Sequence, residues 1–444
     1  MLLLRQFVPS DFCLRCMGCC RFAKAKTIWA PSKYKLIAGK DGYLCPNLGP
    51  QSNQCKIYKN HPLDCQLYPF VLVRRDNRLS LGLHKSCCYI EEKRAHERDI
   101  RNYAQYLKNE LAKNALISAL RENPAIAADY KEDVRIVAEL NGLFKKAFIP
   151  RLNNLTLKDK SLVEVYLKRT ESDLSIYHFA AIFIWRQMFD IFWTRIKGCL
   201  CIFYQDKIGM FMALPALGDV NGAVVKECFA LMSYYNQDSA VSRIENIAEE
   251  DLSLYRRLGL KLKLKDKEYI YLRDDLVRLP GEKFKHKRSN CNMFSKKYNS
   301  EVLEYRGSMR NECLSLYEAW LDMRGQKYND DIYRQMLQDS FLSFRSALGN
   351  YKRLGLRGYV VKVNGEIRAF SFGYPLDDKT FCILFEVCDL RLKGLSQFMF
   401  REFCKVLTGY KYINAMGSSE LENLKRVKLS YHPAKEVCVY NVYQ

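Results

Sequence analysis

"RGYVVKVNGEIRAFSFGYPLDDKTFCILFEVCDL" occupies residues 357–390. Apolar and polar residues alternate through it, and Asn364-Gly365 interrupts the alternation at a point that fits a type I′ turn. The stretch predicts a run of antiparallel strands. The period then changes. "LSQFMFREFCKVLTGY" (395–410) reads as a helix and "KYINAMG" (411–417) as a strand. "LENLKRVKLSY" (421–431) is a second helix and "KEVCVYNVY" (435–443) a closing strand.

Upstream, the same alternation of types recurs. "CLCIFYQDKIGMFMALPALG" (199–218) predicts two strands around Asp206-Lys207, and "NGAVVKECFALMSYYNQ" (221–237) a helix. "EYIYLRDDLVRL" (268–279) predicts a strand and "GEKFKHKRSNCNMFSKKY" (281–298) a basic helix. Two successive strand–helix units predict an α/β (α+β) fold of mixed sheets flanked by helices, with a first domain over 150–280 and a second, catalytic one over 281–444. Residues 91–149, with apolar positions at three- and four-residue intervals and a break at Asn123-Pro124, predict a helical connector. Residues 1–90 read as a small cysteine-rich domain.

Charge narrows the partners. The 444 residues hold 71 Lys and Arg against 49 Asp and Glu, a formal charge of +22. Such a surplus favours anionic partners: tRNA, lipid headgroups or the phosphates of a cofactor. No secretory signal is visible in "MLLLRQF". The most apolar run, "FAAIFIWRQMFDIFW" (179–193), is broken by Arg186, Gln187 and Asp190 and is too short to span a bilayer. A cytoplasmic protein is expected, with peripheral contact to a membrane surface open to it.

Nine of the 18 cysteines fall within residues 1–88: Cys13, Cys16, Cys19, Cys20, Cys45, Cys55, Cys65, Cys87 and Cys88. In a reducing compartment, clustered cysteines point to metal or redox chemistry before disulfides. "CLRCMGCC" (13–20) has the spacing C-x2-C-x2-C-C, which lets neighbouring thiolates reach one centre from a tight turn. C-x2-C-x2-C is also the opening of a bacterial ferredoxin run, and Cys45-Pro46 resembles the end of one, though not at ferredoxin spacing. Residues 1–92 carry 14 Lys and Arg against 6 Asp and Glu, so bound metal thiolates would offset much of the surplus. These nine are the expected ligands of zinc, iron or an iron–sulfur cluster. His61 and His84 are weaker candidates. The other nine cysteines lie mostly in apolar patterns and read as small buried hydrophobes.

Two family resemblances follow. "CLRCMGCC", "CPNL" (45–48) and "CKIYKNHPLDCQLYPF" (55–70) resemble a cysteine-cluster family of zinc- or iron-chelating domains, with His61 and Gln66 where that family usually has arginines. Residues 150–444 resemble the catalytic region of phosphatidylglycerol lysyltransferases and their soluble relatives, a tandem GNAT-like fold. The likeness rests on residues 269–298, 354–373, 385–400 and "YINAMGSSELENLKRVKLSYHP" (412–433). The family often has an acidic residue near Ala415 and Met416, which this chain lacks. The resemblance implies transfer of an aminoacyl group from aminoacyl-tRNA to a lipid, with acyl-CoA as the other donor of such folds.

Acyl transfer needs a place for an anionic donor, polarisation of a carbonyl and management of one proton. "RLKGLS" (391–396), between a predicted strand and helix, partly resembles the phosphate-receiving loop of GNAT enzymes and makes Arg391 and Gly394 candidates. Lys283, Lys287 and Arg288 on the basic helix, with Asn290, would hold tRNA or a lipid phosphate. Glu386 and Asp389 at the end of the preceding strand would take the proton or position the acceptor. Lys425 and Lys428 share the last helix, and Lys428 and Tyr431 match the K-x-S-Y of the resembled family. Tyr431 would protonate the leaving group. No Ser-His-Asp pattern and no Walker loop is present. Two other readings stay open: a metal-cluster protein whose α/β region is a non-catalytic scaffold for RNA or a partner, and a metal-dependent redox or modification enzyme.

Overall fold

The computed structural model describes residues 4–16, 18–22, 36–40, 42–49, 51–75, 78–113, 117, 120, 126–130, 133–237, 239–327 and 331–444. The chain divides into two compact units, residues 1–151 and 152–444.

The first unit contains two small sheets. Strands β1 (Arg21–Phe22), β2 (Ile37–Gly39) and β3 (Gly42–Leu44) form one, in the order β1-β3-β2. Strands β4 (Phe70–Arg75), β5 (Arg78–His84), β6 (Ala127–Ala128) and β7 (Val134–Glu139) form the other, in the order β6-β4-β5-β7. The helix Glu97–Leu111 buries Ile100, Tyr103, Ala104, Leu107 and Leu111 on one face, at the helical spacing read from its sequence. "DVRIVAEL" (133–140) does not continue the predicted helical connector. It is strand β7, paired antiparallel with β5 from Ser80↔Glu139 to His84↔Val134. Val134, Ile136 and Val137 are β-branched, and an open sheet edge outweighs their three- and four-residue spacing. Helix resumes only at Asn141–Phe148. The predicted break at Asn123-Pro124 lies outside the described residues.

The second unit is mixed α/β. Strands β8 (Asn153–Asn154), β9 (Asp190–Ile196), β10 (Cys199–Gln205) and β11 (Met210–Phe211) make a four-stranded antiparallel sheet. The next eight are β12 (Arg243–Ala248), β13 (Lys261–Leu272), β14 (Ser300–Glu304), β15 (Arg357–Val363), β16 (Glu366–Pro375), β17 (Thr380–Cys388), β18 (Tyr412–Asn414) and β19 (Lys435–Tyr443). Their order is β12-β19-β13-β18-β17-β16-β15-β14. Residues 152–444 are therefore not split at 280: β19, the last strand, inserts between β12 and β13. The strand predicted over 268–279 ends at Leu272 and gives way to a helix at Arg273–Arg278.

The run 357–390 is antiparallel as its alternation requires, with Asn364 and Gly365 at φ 52° and 83° in the turn. One side of this sheet is packed by aromatic rings: Phe344, on the helix Asp331–Gly349, stacks on Phe370 with centroids 4.7 Å apart.

Candidate active site

Every pairing in the eight-stranded sheet is antiparallel except one. β17 and β18 run parallel, and only over Thr380↔Tyr412, Phe381↔Ile413 and Cys382↔Asn414. Past Asn414 the chain stays with β13, through Ala415 N–H to Tyr269 O and Tyr269 N–H to Met416 O, and leaves β17. β17 itself continues six residues to Cys388. The strands splay, and Glu386 lies on the diverging part of β17.

Polar side chains fill the fork. Glu268 of β13, 8% exposed, accepts from Ser175 Oγ (2.6 Å), Ser175 N (2.8 Å) and Asn414 Nδ2 (2.7 Å). Asn414 Nδ2 also donates to Asp173 O, and its Oδ1 accepts from Met416 N, which fixes both faces of the amide. Burial pushes the Glu268 carboxyl up, opposed by Ser175, Asn414 and Lys428.

Lys428, from the helix Glu422–Leu429, reaches inward. Its Nζ donates to Ala415 O, to Met416 O (3.1 Å) and to Gly417 O (2.6 Å). A lysine has three donors, so all are spent on this one loop. Lys428 therefore supplies charge and holds the loop, and presents no N–H to a substrate. Burial lowers its pKa to about 8, against the pull of Glu268, Asp266, Cys382 and Glu386. Where the resembled family often has an acid near 415 and 416, main-chain carbonyls face the lysine here.

Glu386 stands across from Ser371 in the β16–β17 register. Its Oε2 and the Ser371 hydroxyl are both sealed from solvent and meet no partner at good hydrogen-bonding geometry, though the hydroxyl is near enough to lower the carboxyl's pKa. Burial raises the carboxyl to about 8, with Lys428 and Ser371 pulling the other way. Both groups thus titrate within the pH range where an acyl-transfer base operates.

Tyr431 packs against Phe400 (centroids 4.9 Å) and Tyr271, with Lys287 Nζ 4.0 Å over its ring. Burial and the Glu386 charge raise its phenol well above the usual value, so it stays neutral and is a poor proton donor. Burial lowers Lys287. The structure thus brings Glu386, Lys428, Tyr431 and Lys287 together.

The remaining candidates occupy other positions. Asp389, 2% exposed, accepts from Arg391 Nε (2.9 Å) and Nη2 (2.7 Å) and from Arg368 Nη1 (3.2 Å). The Arg391 contact, then the other hydrogen bonds and charges, hold its pKa below the usual carboxylate range. Both Asp389 and Arg391 serve as struts of the loop at 389–394. Gly394, at φ 88°, begins the helix Leu395–Val406. A Cβ there would meet Asn290 O at 2.5 Å, so helix and loop backbones touch directly. Asn290 enters through that carbonyl. Arg288 donates to Leu279 O and Gly281 O and fastens the turn before its own helix. Lys283 lies over the Phe284 ring, and Lys425 is exposed and paired with Glu422. Glu268, Asn414 and Ser371 escaped the sequence reading. A lone acid within "EYIYL" was the available signal, because a strand buried from residue 268 to 271 leaves no solvent for it.

In the first unit, all nine cysteines of residues 1–88 line one cavity of about 550 Å³, together with His61 and Tyr68. Nδ1 of His61 is buried without a partner. Among the described residues, no three Cys, His, Asp or Glu side chains converge closely enough to hold a single ion.

Residues 167–443 match the family described as phosphatidylglycerol lysyltransferase, C-terminal. The chain belongs to this family. It is a transferase, and the matched residues include the whole fork between β17 and β18. A conserved protein of unknown function from Bacteroides thetaiotaomicron is 23% identical, with a TM-score of 0.60 over 66% of this chain and 99% of its own. L-PGS from Bacillus licheniformis is 19% identical, with a TM-score of 0.46 over 64% of this chain and 92% of its own. A tandem GNAT protein from the clavulanic acid biosynthesis pathway is 8% identical, with a TM-score of 0.40 over 66% and 97%. No curated protein matches the chain. The cysteine-lined cavity lies outside the family match. No helix among the described residues is long and apolar enough to cross a membrane.

Proposed function

We propose that residues 152–444 transfer an aminoacyl group from aminoacyl-tRNA to a hydroxyl of a lipid headgroup. The observation that carries this is Glu386 at the strand fork, whose Oε2 is buried without a hydrogen-bond partner and whose carboxyl feels the charge of Lys428. Ionised Glu386 takes the proton of the acceptor hydroxyl. The acceptor oxygen attacks the ester carbonyl, a new ester forms, and the terminal ribose hydroxyl of the tRNA leaves. That hydroxyl recovers the proton from Glu386, which returns to its ionised state. Lys428 stabilises the negative charge that develops on the carbonyl oxygen through its field. The surplus of +22 suits both the tRNA and an anionic lipid surface. Such an enzyme would work in the cytoplasm, at the membrane face.

For residues 1–151, the nine-cysteine cavity supports a resident metal centre. A single tetrahedral ion with metal–sulfur bonds of about 2.3 Å would need thiolates in near contact, and no such group of three exists among the described residues. We therefore take an iron–sulfur cluster, which places several atoms between its thiolates, in preference to zinc or a lone iron. When bound, it would cross-link the chain segments that carry the cysteines.

The test is incubation of the full chain with tRNA charged with labelled lysine and phosphatidylglycerol vesicles, beside E386Q. Label in the lipid extract with wild type, lost in E386Q, is expected. Acylation from acyl-CoA but from no aminoacyl-tRNA would overturn the donor. Equal rates for wild type and E386Q would overturn the site.

A further inference from the structure

Asn414 is the last residue that β18 shares with both its neighbours, standing opposite Cys382 of β17 and Ile270 of β13. The chain turns directly after it. Asn414 Oδ1 accepts from Met416 N at 2.6 Å, an Asx turn that closes over Ala415. Met416 stands at φ 61°, in the left-handed region that a side chain of this size rarely adopts. The amide oxygen two residues back holds it there.

This turn decides where three carbonyls point. In an extended strand successive carbonyls face opposite edges, so three in a row cannot reach one ammonium. Here Ala415 O, Met416 O and Gly417 O all accept from Lys428 Nζ. The far end of the loop is tied to Asp266, which accepts from Ser418 Oγ (3.1 Å) and Ser419 N (2.7 Å). The near end depends on Asn414. Its Nδ2 donates to Glu268 Oε2 (2.7 Å) and to Asp173 O (2.8 Å). Both amide hydrogens are therefore spent, and a flipped amide would aim its oxygen at a carboxylate and a carbonyl. Asn414 is fully buried, so no bulk water offers it another partner.

We propose that Asn414 is a positioning residue for the transfer reaction: its Asx turn gathers the 415–417 carbonyls onto Lys428 and so fixes the ammonium in the fork that holds Glu386. This rests on the role given to Glu386 above. The titratable groups facing Lys428 are Glu268, Asp266, Cys382 and Glu386. Besides Lys428, Glu386 has Cys388, Cys404 and Tyr431 as titratable neighbours, and burial keeps all three neutral. Lys428 is the one positive charge in this set. If it leaves the fork, the Glu386 carboxyl loses the pull that favours its ionised form.

The variants N414T and N414V differ by a hydroxyl in place of a methyl of similar size. The threonine hydroxyl can accept from the N–H two residues on, in a weaker form of the same turn, and valine cannot. Both lose the contacts to Glu268 and Asp173, so the comparison isolates the oxygen. The full chain is assayed with lysine-charged tRNA and phosphatidylglycerol vesicles across the pH range around the Glu386 limb. N414V should lower kcat by about 10–10²-fold with KM for both substrates unchanged. Its rising limb should move upward from about 8 by about one unit. N414T should recover most of the rate and keep the limb near its wild-type position. A loss of folded protein would scale the whole profile and leave the limb in place. Coincident limbs in N414T and N414V would overturn the proposal while leaving Glu386 as the base, because E386Q tests that separately. Hydrogen exchange at the Met416 amide of wild type is independent of whether the variants fold: the turn should protect it, and exchange as fast as in an open loop would overturn the proposal. No transfer by wild type at any pH would overturn the catalytic reading, and the role of the turn with it.

Discussion

The two units use buried polar atoms in opposite ways. In residues 152–444 a large aromatic and aliphatic core surrounds a few polar groups. Nearly all of those are answered within the chain: Glu268 by Ser175 and Asn414, Lys428 by three carbonyls, Asp389 by two arginines. Among the exceptions, which include Trp193 Nε1, Tyr305 OH, Ser346 Oγ and Asn441 Oδ1, Glu386 Oε2 and the Ser371 hydroxyl face each other in the register of the strand that leaves the fork. In residues 1–151 the strands are short, and nine thiols line one cavity, with Cys16 meeting Cys88 and Cys19 meeting Cys20. A self-sufficient core can hold one carboxyl unpaired and so keep it reactive. A thin core with many unpaired ligands requires something from outside to complete it.

The largest effect that would break this contrast is metal removal. Chelation under reducing conditions should unfold residues 1–151 and leave the 152–444 transition in place, because a structural metal can contribute roughly 10 kcal/mol or more to a small domain. Calorimetry showing an unchanged first transition would erase the difference between the units. Next is E386Q, expected to lower the transfer rate by about 10²–10⁴-fold, the usual span for a positioned base, with little loss of folding stability in urea titrations.

The pH dependence sharpens this. The rate should rise as pH rises through about 8, where Glu386 ionises, and the limb should vanish in E386Q. Folding shows the reverse trend. The folded pKa lies above the ordinary carboxylate value, so the stability contributed by neutral Glu386 is complete below about 4.5. It is lost as pH climbs through about 8. K428M should cost roughly 3–5 kcal/mol of stability, since it leaves buried carboxylates facing no cation and frees the 415–417 carbonyls. G394A should cost about 1–3 kcal/mol, from positive φ and the close Asn290 carbonyl. At the small end, K425A breaks only an exposed pair with Glu422 and should shift stability by no more than about 0.5 kcal/mol.

Much of this was legible in one dimension. The alternation in 357–390 and the Asn-Gly turn specify a hairpin because strand side chains have a period of two and a type I′ turn needs positive φ. The cysteine spacing predicted ligands; the nine thiols do line one cavity, but no three of them converge on a single ion among the described residues. The strand at 134–139 was misread as helix: its apolar residues satisfy either period, and only an open edge on β5 decides between them. Arg391 and Asp389 carry the charges expected of a substrate site, yet neutralise each other, a pairing the sequence cannot reveal.

What the sequence by itself determined is chemistry and local geometry: thiols in a cluster, a hairpin, a basic helix, a carboxylate at the end of a strand. What only the tertiary structure decided is which groups meet. Glu268 and Lys428 are 160 positions apart, and Cys20 is set beside Cys45 by a two-residue ladder. Side-chain type is a property of one residue. Burial, which moves a carboxyl to about 8 and leaves it unpaired at a fork, is a property of every segment folded around it.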